Sequence, residues 1–257
     1  MIKPGLVSIS FRKLSCDQIL DLVGAAGLQA IEWGGDVHVP HGCLDSATTV
    51  AAKTRDRGLN IAAYGSYYRV GSGGELKFSD VLASATALGT DVIRVWAGNC
   101  GSAAADRLQR QAVINDSRRI AEQAADVGIR IAYEFHANTL TDTTDSAVQL
   151  LTEVDHPNLR CYWQPPHGFS DHDLLLSLRR IQPWLQNLHV FHWQPGCERQ
   201  ALADGRQRWQ LLLAEAQAAM PPGATLYALL EFCRNDDPDQ FRADAAILQK
   251  MLSEINP

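Results

Sequence analysis

The sequence predicts an α/β protein folded as a single (β/α)8 TIM barrel over residues 1–257, and three observations carry that expectation. Eight short apolar runs recur along the chain, amphipathic segments of helical period separate them, and glycine repeatedly closes a helical segment just before the next run. The length, 257 residues, is that of eight strand-and-helix units, which typically need about 250.

The apolar runs are Leu6 to Ile9, Ala30 to Trp33, Ile61 to Tyr64, Val92 to Trp96, Ile129 to Glu134, Leu159 to Trp163, Leu188 to His192 and Leu226 to Glu231. Each is rich in β-branched or aromatic residues and too short for a helix. None alternates as a strand with one wet face does, so they read as parallel strands covered on both sides. The amphipathic segments are Cys16 to Ala26, Ser46 to Arg57, Phe78 to Leu88, Ala105 to Val127, Asp145 to Val154, Asp171 to Ile181, Trp209 to Met220 and Phe241 to Glu254. Ser15 ahead of Cys16-Asp17 signals a helix start, and Gly27, Gly58, Gly89 and Gly128 supply the left-handed residue that stops one. With no Pro- or Ser-rich linker, repeat or low-complexity stretch, one closed barrel is expected.

Composition bounds the function. The apolar fraction of 46% is that of an ordinary globular chain, and a net charge of −6 with dispersed Lys and Arg would repel a polyanion, so nucleic acid is not the expected partner. Cys16, Cys43, Cys100, Cys161, Cys197 and Cys233 form no C-x-x-C pair and suit free thiols in a reducing compartment. The opening M-I-K-P-G-L-V-S-I-S-F lacks the apolar run and cleavage pattern of a signal peptide, and no segment approaches the roughly 20 apolar residues that cross a bilayer. A cytoplasmic location with no membrane partner is expected.

In such a barrel, chemistry gathers where strands end and loops begin. Strand two runs into Glu32 and a loop with Asp36, His38 and His41. Strand three supplies Tyr64, Tyr67, Tyr68 and Arg69, and strand four Arg94 and Trp96. Strand five ends at Glu134, followed by His136 and Asn138, and strand six ends with Gln164 and His167. Strand seven ends with His192 and Trp193, and strand eight with Glu231, followed by Arg234.

Burying a carboxylate costs several kcal/mol unless a cation or donors meet it, so two acids ending core-like strands need a shared reason. Glu134, Gln164, His192 and Glu231 make a three-oxygen, one-nitrogen shell suited to Mn2+, Mg2+, Co2+ or Zn2+. Each also has a bland reading. Either glutamate could be an exposed loop residue or the partner of an arginine, and His192 a hydrogen-bonded core histidine. Gln164 before Pro165-Pro166 could be a turn residue, and the rim aromatics packing alone. Arg94 inside an apolar strand demands an anion, which is Glu32, Glu134 or a substrate. His156, His172 and His189 read as structural or exposed.

The eight-unit rhythm and these strand-end residues resemble the xylose isomerase-like sugar isomerase/epimerase superfamily of TIM barrels, whose members include ketose 3-epimerases, hydroxypyruvate isomerase, inosose dehydratase and endonuclease IV. The resemblance covers essentially the whole chain. Its specific part is a glutamate ending strand five, a D-x-x-H pattern after strand six, a histidine ending strand seven and a glutamate ending strand eight. It implies that Glu134 and Glu231 are the acid/base pair and bind one divalent metal, that His192 is the metal histidine, and that His167 contacts substrate. Gln164 stands where the family has aspartate, which removes a charge from the shell, and Trp193-Gln194-Pro195 departs from the family's strand-seven continuation.

The implied activity is isomerisation or epimerisation of a sugar or hydroxy-ketone through an enediolate, one glutamate taking a carbon-bound proton and the other returning it. Arg94, Trp96, His38, Tyr64 and Arg234 would line the pocket. The partner is a small carbohydrate, and such barrels are often homodimers. Two alternatives stay open: an inosose-type dehydratase, in which the same intermediate expels a hydroxyl, and a non-catalytic sugar-binding barrel with a degraded metal site. An endonuclease IV-type enzyme would need more metal ligands and a basic face.

Overall fold

The computed structural model describes residues 1–166, 168–194 and 196–256. Eight parallel strands close into a barrel: β1 (Ile2–Val7), β2 (Ala30–Gly34), β3 (Asn60–Arg69), β4 (Val92–Trp96), β5 (Arg130–Tyr133), β6 (Leu159–Trp163), β7 (Leu185–Val190) and β10 (Leu226–Leu230). A hairpin of β8 (His192–Gln194) and β9 (Glu198–Gln200) stands outside it, between β7 and the helix that follows. Helices α1 (Cys16–Ala25), α2 (Leu44–Asp56), α3 (Phe78–Leu88), α4 (Arg107–Ala125), α5 (Thr144–Val154), α6 (Asp171–Ile181), α7 (Arg206–Ala218) and α8 (Pro238–Ile255) alternate with the barrel strands. The expected single TIM barrel is borne out. No helix among the described residues is long and apolar enough to cross a membrane.

Local chemistry sets the helix ends. Ser15 and Gln18 form a capping box at the start of α1, as do Asp106 and Gln109 at the start of α4, satisfying N–H groups that have no partner within the helix. Gly89 closes α3 at φ 72°, a left-handed turn that a side chain would strain.

Besides the β8–β9 hairpin and a β3 that runs on to Arg69, two elements depart from expectation. β1 lies at Ile2–Val7, earlier than the apolar run at 6–9, because the chain turns into a 3-10 helix at Ser8–Phe11. Lys3-Pro4-Gly5 disguises the strand in sequence. In the fold Gly5 is required, since a Cβ there would sit 2.6 Å from Leu229 and 2.7 Å from the Ala30 carbonyl. Strand seven ends at Val190, two residues before His192.

Two layers of side chains follow from the two faces of each strand. Ile31, Trp33, Ile93, Val95, Ile131, Tyr133, Leu188, Val190 and Leu230 face the helices in one continuous core. Each such residue buried contributes about 1.5–3 kcal/mol. Val7, Ala30, Ala62, Val92, Ala132, Tyr162 and Leu229 form a second, smaller cluster inside the barrel. Small residues predominate there because the interior is narrow, and above them the same strand faces carry polar groups.

Candidate active site

Side chains two residues apart on a strand point the same way, so the interior cluster predicts what lies above it. Ala30 is followed by Glu32, Val92 by Arg94, Ala132 by Glu134, Tyr162 by Gln164, and Leu229 by Glu231. On β7 the inward pair is Asn187 and His189, both fully buried, with Asn187 donating to the Tyr162 hydroxyl at 2.7 Å. The ladder carries on past the strand ends: Glu134 N–H donates to the Val95 carbonyl at 3.0 Å and Glu231 N–H to the Val190 carbonyl at 3.1 Å.

Arg94 lies at the centre of this layer. Its Nε donates to Glu32 Oε1 at 2.6 Å and its Nη1 to Glu134 Oε2. Trp96 Nε1 donates to the same Glu134 oxygen at 2.6 Å. Burial opposes the charge on Glu134, but Arg94 and then His189 outweigh it and pull the carboxyl down to about 2. Burial likewise opposes a charge on His189, yet Glu231, Glu134 and Glu32 together raise its pKa well above the ordinary imidazole value. Gly65 on β3 leaves the room this needs: a Cβ there would meet Arg94 Nη2 at 2.6 Å and Glu32 Oε1 at 2.8 Å.

Four donor atoms converge around one face of His189. Nδ1 stands 2.8 Å from Gln164 Oε1, 3.2 Å from Glu231 Oε2 and 3.6 Å from Glu134 Oε1. Ligand atoms each about 2.0–2.2 Å from one divalent ion stand roughly 3 Å apart, so the spacing fits a shared cation. Glu231 Oε2 is buried with no hydrogen-bond partner, an acceptor aimed into the group with nothing to accept. Among the described residues, Glu134, His189 and Glu231 are the His/Cys/Asp/Glu group placed to hold a metal ion.

Gln164 also lines a cavity of about 620 Å³ beside the cluster, with His136, Asn138, Asp142, Trp193 and Phe232 among its walls. His136 packs on Trp96 with ring centroids 4.7 Å apart and donates from Nδ1 to the Ala137 carbonyl at 2.6 Å. That bond leaves its Nε2 as an acceptor.

Thus Glu134, Glu231, Gln164, Arg94 and Trp96 come together, and four other residues expected at the site do not. His192 stands apart from this group, and His189 occupies the place expected for it. Phe191 leaves the barrel ladder, and His192 sits half-buried on β8 with its ring against Gly205, where a Cβ would stand 2.5 Å from its Nδ1. Tyr64 lies on the helix-facing side of β3, its hydroxyl donating to the Val39 carbonyl at 2.8 Å. His38 is a buried anchor, Nε2 donating to the Leu14 carbonyl at 3.2 Å and Nδ1 paired with the Ser8 hydroxyl at 3.0 Å. Arg234 is on an exposed turn and donates to Gln240 at 2.6 Å. His167 lies outside the described residues. Two residues missing from the expected site, Glu32 and His189, were findable by counting in twos from Ala30 and Asn187.

A model of the family described as xylose isomerase-like TIM barrel matches residues 20–247. The chain belongs to the xylose isomerase-like TIM-barrel family. A 3-dehydroshikimate dehydratase of Bacillus anthracis is 31% identical to it over 200 residues, 73% of this chain and 71% of that protein. Among solved structures, the probable 3-DHS dehydratase involved in petrobactin synthesis from Bacillus anthracis superposes with a TM-score of 0.78 at 24% identity, covering 97% of this chain and 99% of the other. A D-psicose 3-epimerase from Clostridium cellulolyticum H10, determined with D-tagatose, gives 0.77 at 16% identity, with 99% of both chains covered. A xylose isomerase-like barrel from Mycobacterium smegmatis in complex with magnesium gives 0.68 at 16%, covering 99% and 98%. At these identities the structures establish a shared fold. The same barrel fold is thus shared with a probable 3-DHS dehydratase and a D-psicose 3-epimerase.

Proposed function

We propose that this xylose isomerase-like barrel is a divalent-metal-dependent dehydratase of a small hydroxylated cyclic ketone of the 3-dehydroshikimate type. The observation that carries the reading is the convergence of Glu134, Gln164, His189 and Glu231 on one point beside the cavity. The 31% identity to a 3-dehydroshikimate dehydratase supports the choice of reaction. A divalent cation held by these four groups would polarise the substrate carbonyl and so acidify the neighbouring C–H.

The chain's own groups have distinct parts. His136, held in one tautomer by the Ala137 carbonyl, presents Nε2 to the cavity as the base for that C–H. The proton it takes serves the hydroxyl one carbon further out, which leaves as water when the double bond forms. Trp193 and Phe232 offer apolar faces to a flat ring and keep bulk water from it. Glu134, tied to Arg94 and Trp96, stays a carboxylate throughout. We place the reaction in the cytoplasm.

Epimerisation is the second reading, favoured by the partnerless Glu231 Oε2, which could serve as one base of a two-base exchange. That exchange also needs Glu134 to gain and lose a proton, and its clamp opposes this. The test is to supply the Mn2+-loaded protein separately with 3-dehydroshikimate and with D-psicose. Dehydration yields an aromatic product with near-ultraviolet absorbance, which is the expected result. Conversion of the ketohexose with no aromatic product would reverse the assignment.

A further inference from the structure

We propose that Glu32 is a positioning residue for the cation site, holding the His189 ring so that Nδ1 faces the donor set. This rests on the reading that Glu134, Gln164, His189 and Glu231 hold a divalent cation. The two nitrogens of His189 face opposite neighbours. Nδ1 looks toward Gln164, Glu231 and Glu134, whereas Nε2 looks toward Glu32 Oε2, 3.6 Å away. Both Nε2 and Glu32 Oε2 are buried and neither has a hydrogen-bond partner. A donor and an acceptor without partners, facing each other at slightly more than bonding distance, are complementary.

The other neighbours of the Glu32 carboxylate are Arg94 and the Tyr162 hydroxyl. Its Oε1 is taken by Arg94 Nε at 2.6 Å, and Gly65 packs too closely for the carboxylate to swing toward β3. The ring of His189 separates it from the donor set, so it is not itself one of the grouped ligands. Tyr162 meets the imidazole edge-on at 5.1 Å and limits rotation from the inner side. An imidazole that binds a cation through Nδ1 keeps its proton on Nε2, and a carboxylate at Nε2 fixes that tautomer and makes Nδ1 a better ligand. The same sequence position also has a plainer use, as counter-charge to Arg94 alone. The two uses differ in whether Glu32 acts through His189.

A double-mutant comparison separates them. Mn2+ binding to the chelator-stripped protein is measured by calorimetry for the wild type, E32Q, H189Q and the double variant. Glu32→Gln is expected to weaken binding roughly 10- to 100-fold in the wild-type background. In the H189Q background it is expected to change binding by less than about twofold, since the group it acts through is gone. An equal loss in both backgrounds, or wild-type affinity in E32Q, overturns the inference. A wild type that binds no Mn2+ overturns the metal reading and the inference with it, whereas a wild type that binds alongside an unaffected E32Q overturns the inference alone. Should E32Q not fold, Glu32→Asp keeps the charge beside Arg94 but withdraws it from His189 by about 1.5 Å. Weaker Mn2+ binding by that variant supports the inference, and unchanged binding overturns it.

Discussion

The indole N–H of Trp96 donates to Glu134 Oε2 at 2.6 Å, on the same oxygen that receives the guanidinium of Arg94. One oxygen of Glu134 is therefore spent on structure and the other, Oε1, is turned toward His189. Glu134 thus joins the barrel's internal ion network to the donor set.

Removing the cation of that network should unfold the protein readily. Arg94→Met leaves Glu32 and Glu134 buried without their partner, and breaking a buried pair in this way costs about 3–5 kcal/mol. Arg94→Lys should restore little, because an ammonium cannot span two carboxylates as the planar fork does. Urea unfolding midpoints measure both, and a variant within about 1 kcal/mol of wild type would contradict the network.

Acid should act through Glu134. Its folded pKa, about 2, lies below its ordinary value of 4.5, so its contribution to stability is complete above the ordinary value and fades as pH falls through the interval between the two. The loss is on the order of a few kcal/mol. Glu134→Gln should flatten the acid limb of the stability profile, and an identical limb in both proteins would argue against the clamp.

Metal binding should strengthen with pH. His189 is held well above its usual pKa by the surrounding carboxylates, so in stripped protein it carries a proton that a cation at Nδ1 must displace. Mn2+ titrations in buffers of differing ionisation enthalpy should register that released proton. Affinity that is flat between about pH 6 and pH 8 would count against Nδ1 as a ligand.

Exchange of single residues should rank His189 and His192. His189→Gln is expected to weaken Mn2+ binding by roughly a hundredfold while leaving it measurable, whereas His192→Gln, at a ring packed on Gly205, should leave it unchanged. Gln164→Glu puts a third carboxylate where an amide oxygen now stands 2.8 Å from the imidazole and should tighten binding, by roughly tenfold. A reversed order of the two histidine variants would restore the site to β8.

Most of the barrel was legible because its signals are local. Apolar runs, helical period and stop glycines such as Gly89 act within a few residues, and they located the eight strands and eight helices. β1 was shifted because Pro4 and Gly5 read as a turn, although Gly5 is there to let β2 and β10 approach. The site was legible in part. Glu134, Glu231, Gln164 and Arg94 stood out as polar residues ending or interrupting apolar strands. His189 did not, since it lies between Leu188 and Val190 and its inward direction depends on the register with Trp163 and Leu230. Tyr64 was misplaced for the same reason, as one residue of offset moves a side chain to the other face, whereas His38 lies in the turn after β2, where no strand face fixes its direction. The β8–β9 hairpin carries no apolar run, and nothing local announced it.

The most direct test is an anomalous difference map from crystals soaked in Mn2+. One strong peak is predicted within about 2.0–2.4 Å of Glu134, Gln164, His189 and Glu231 together. A map with no peak there, or with its peak beside His192, would contradict the central claim that four barrel strands share one cation.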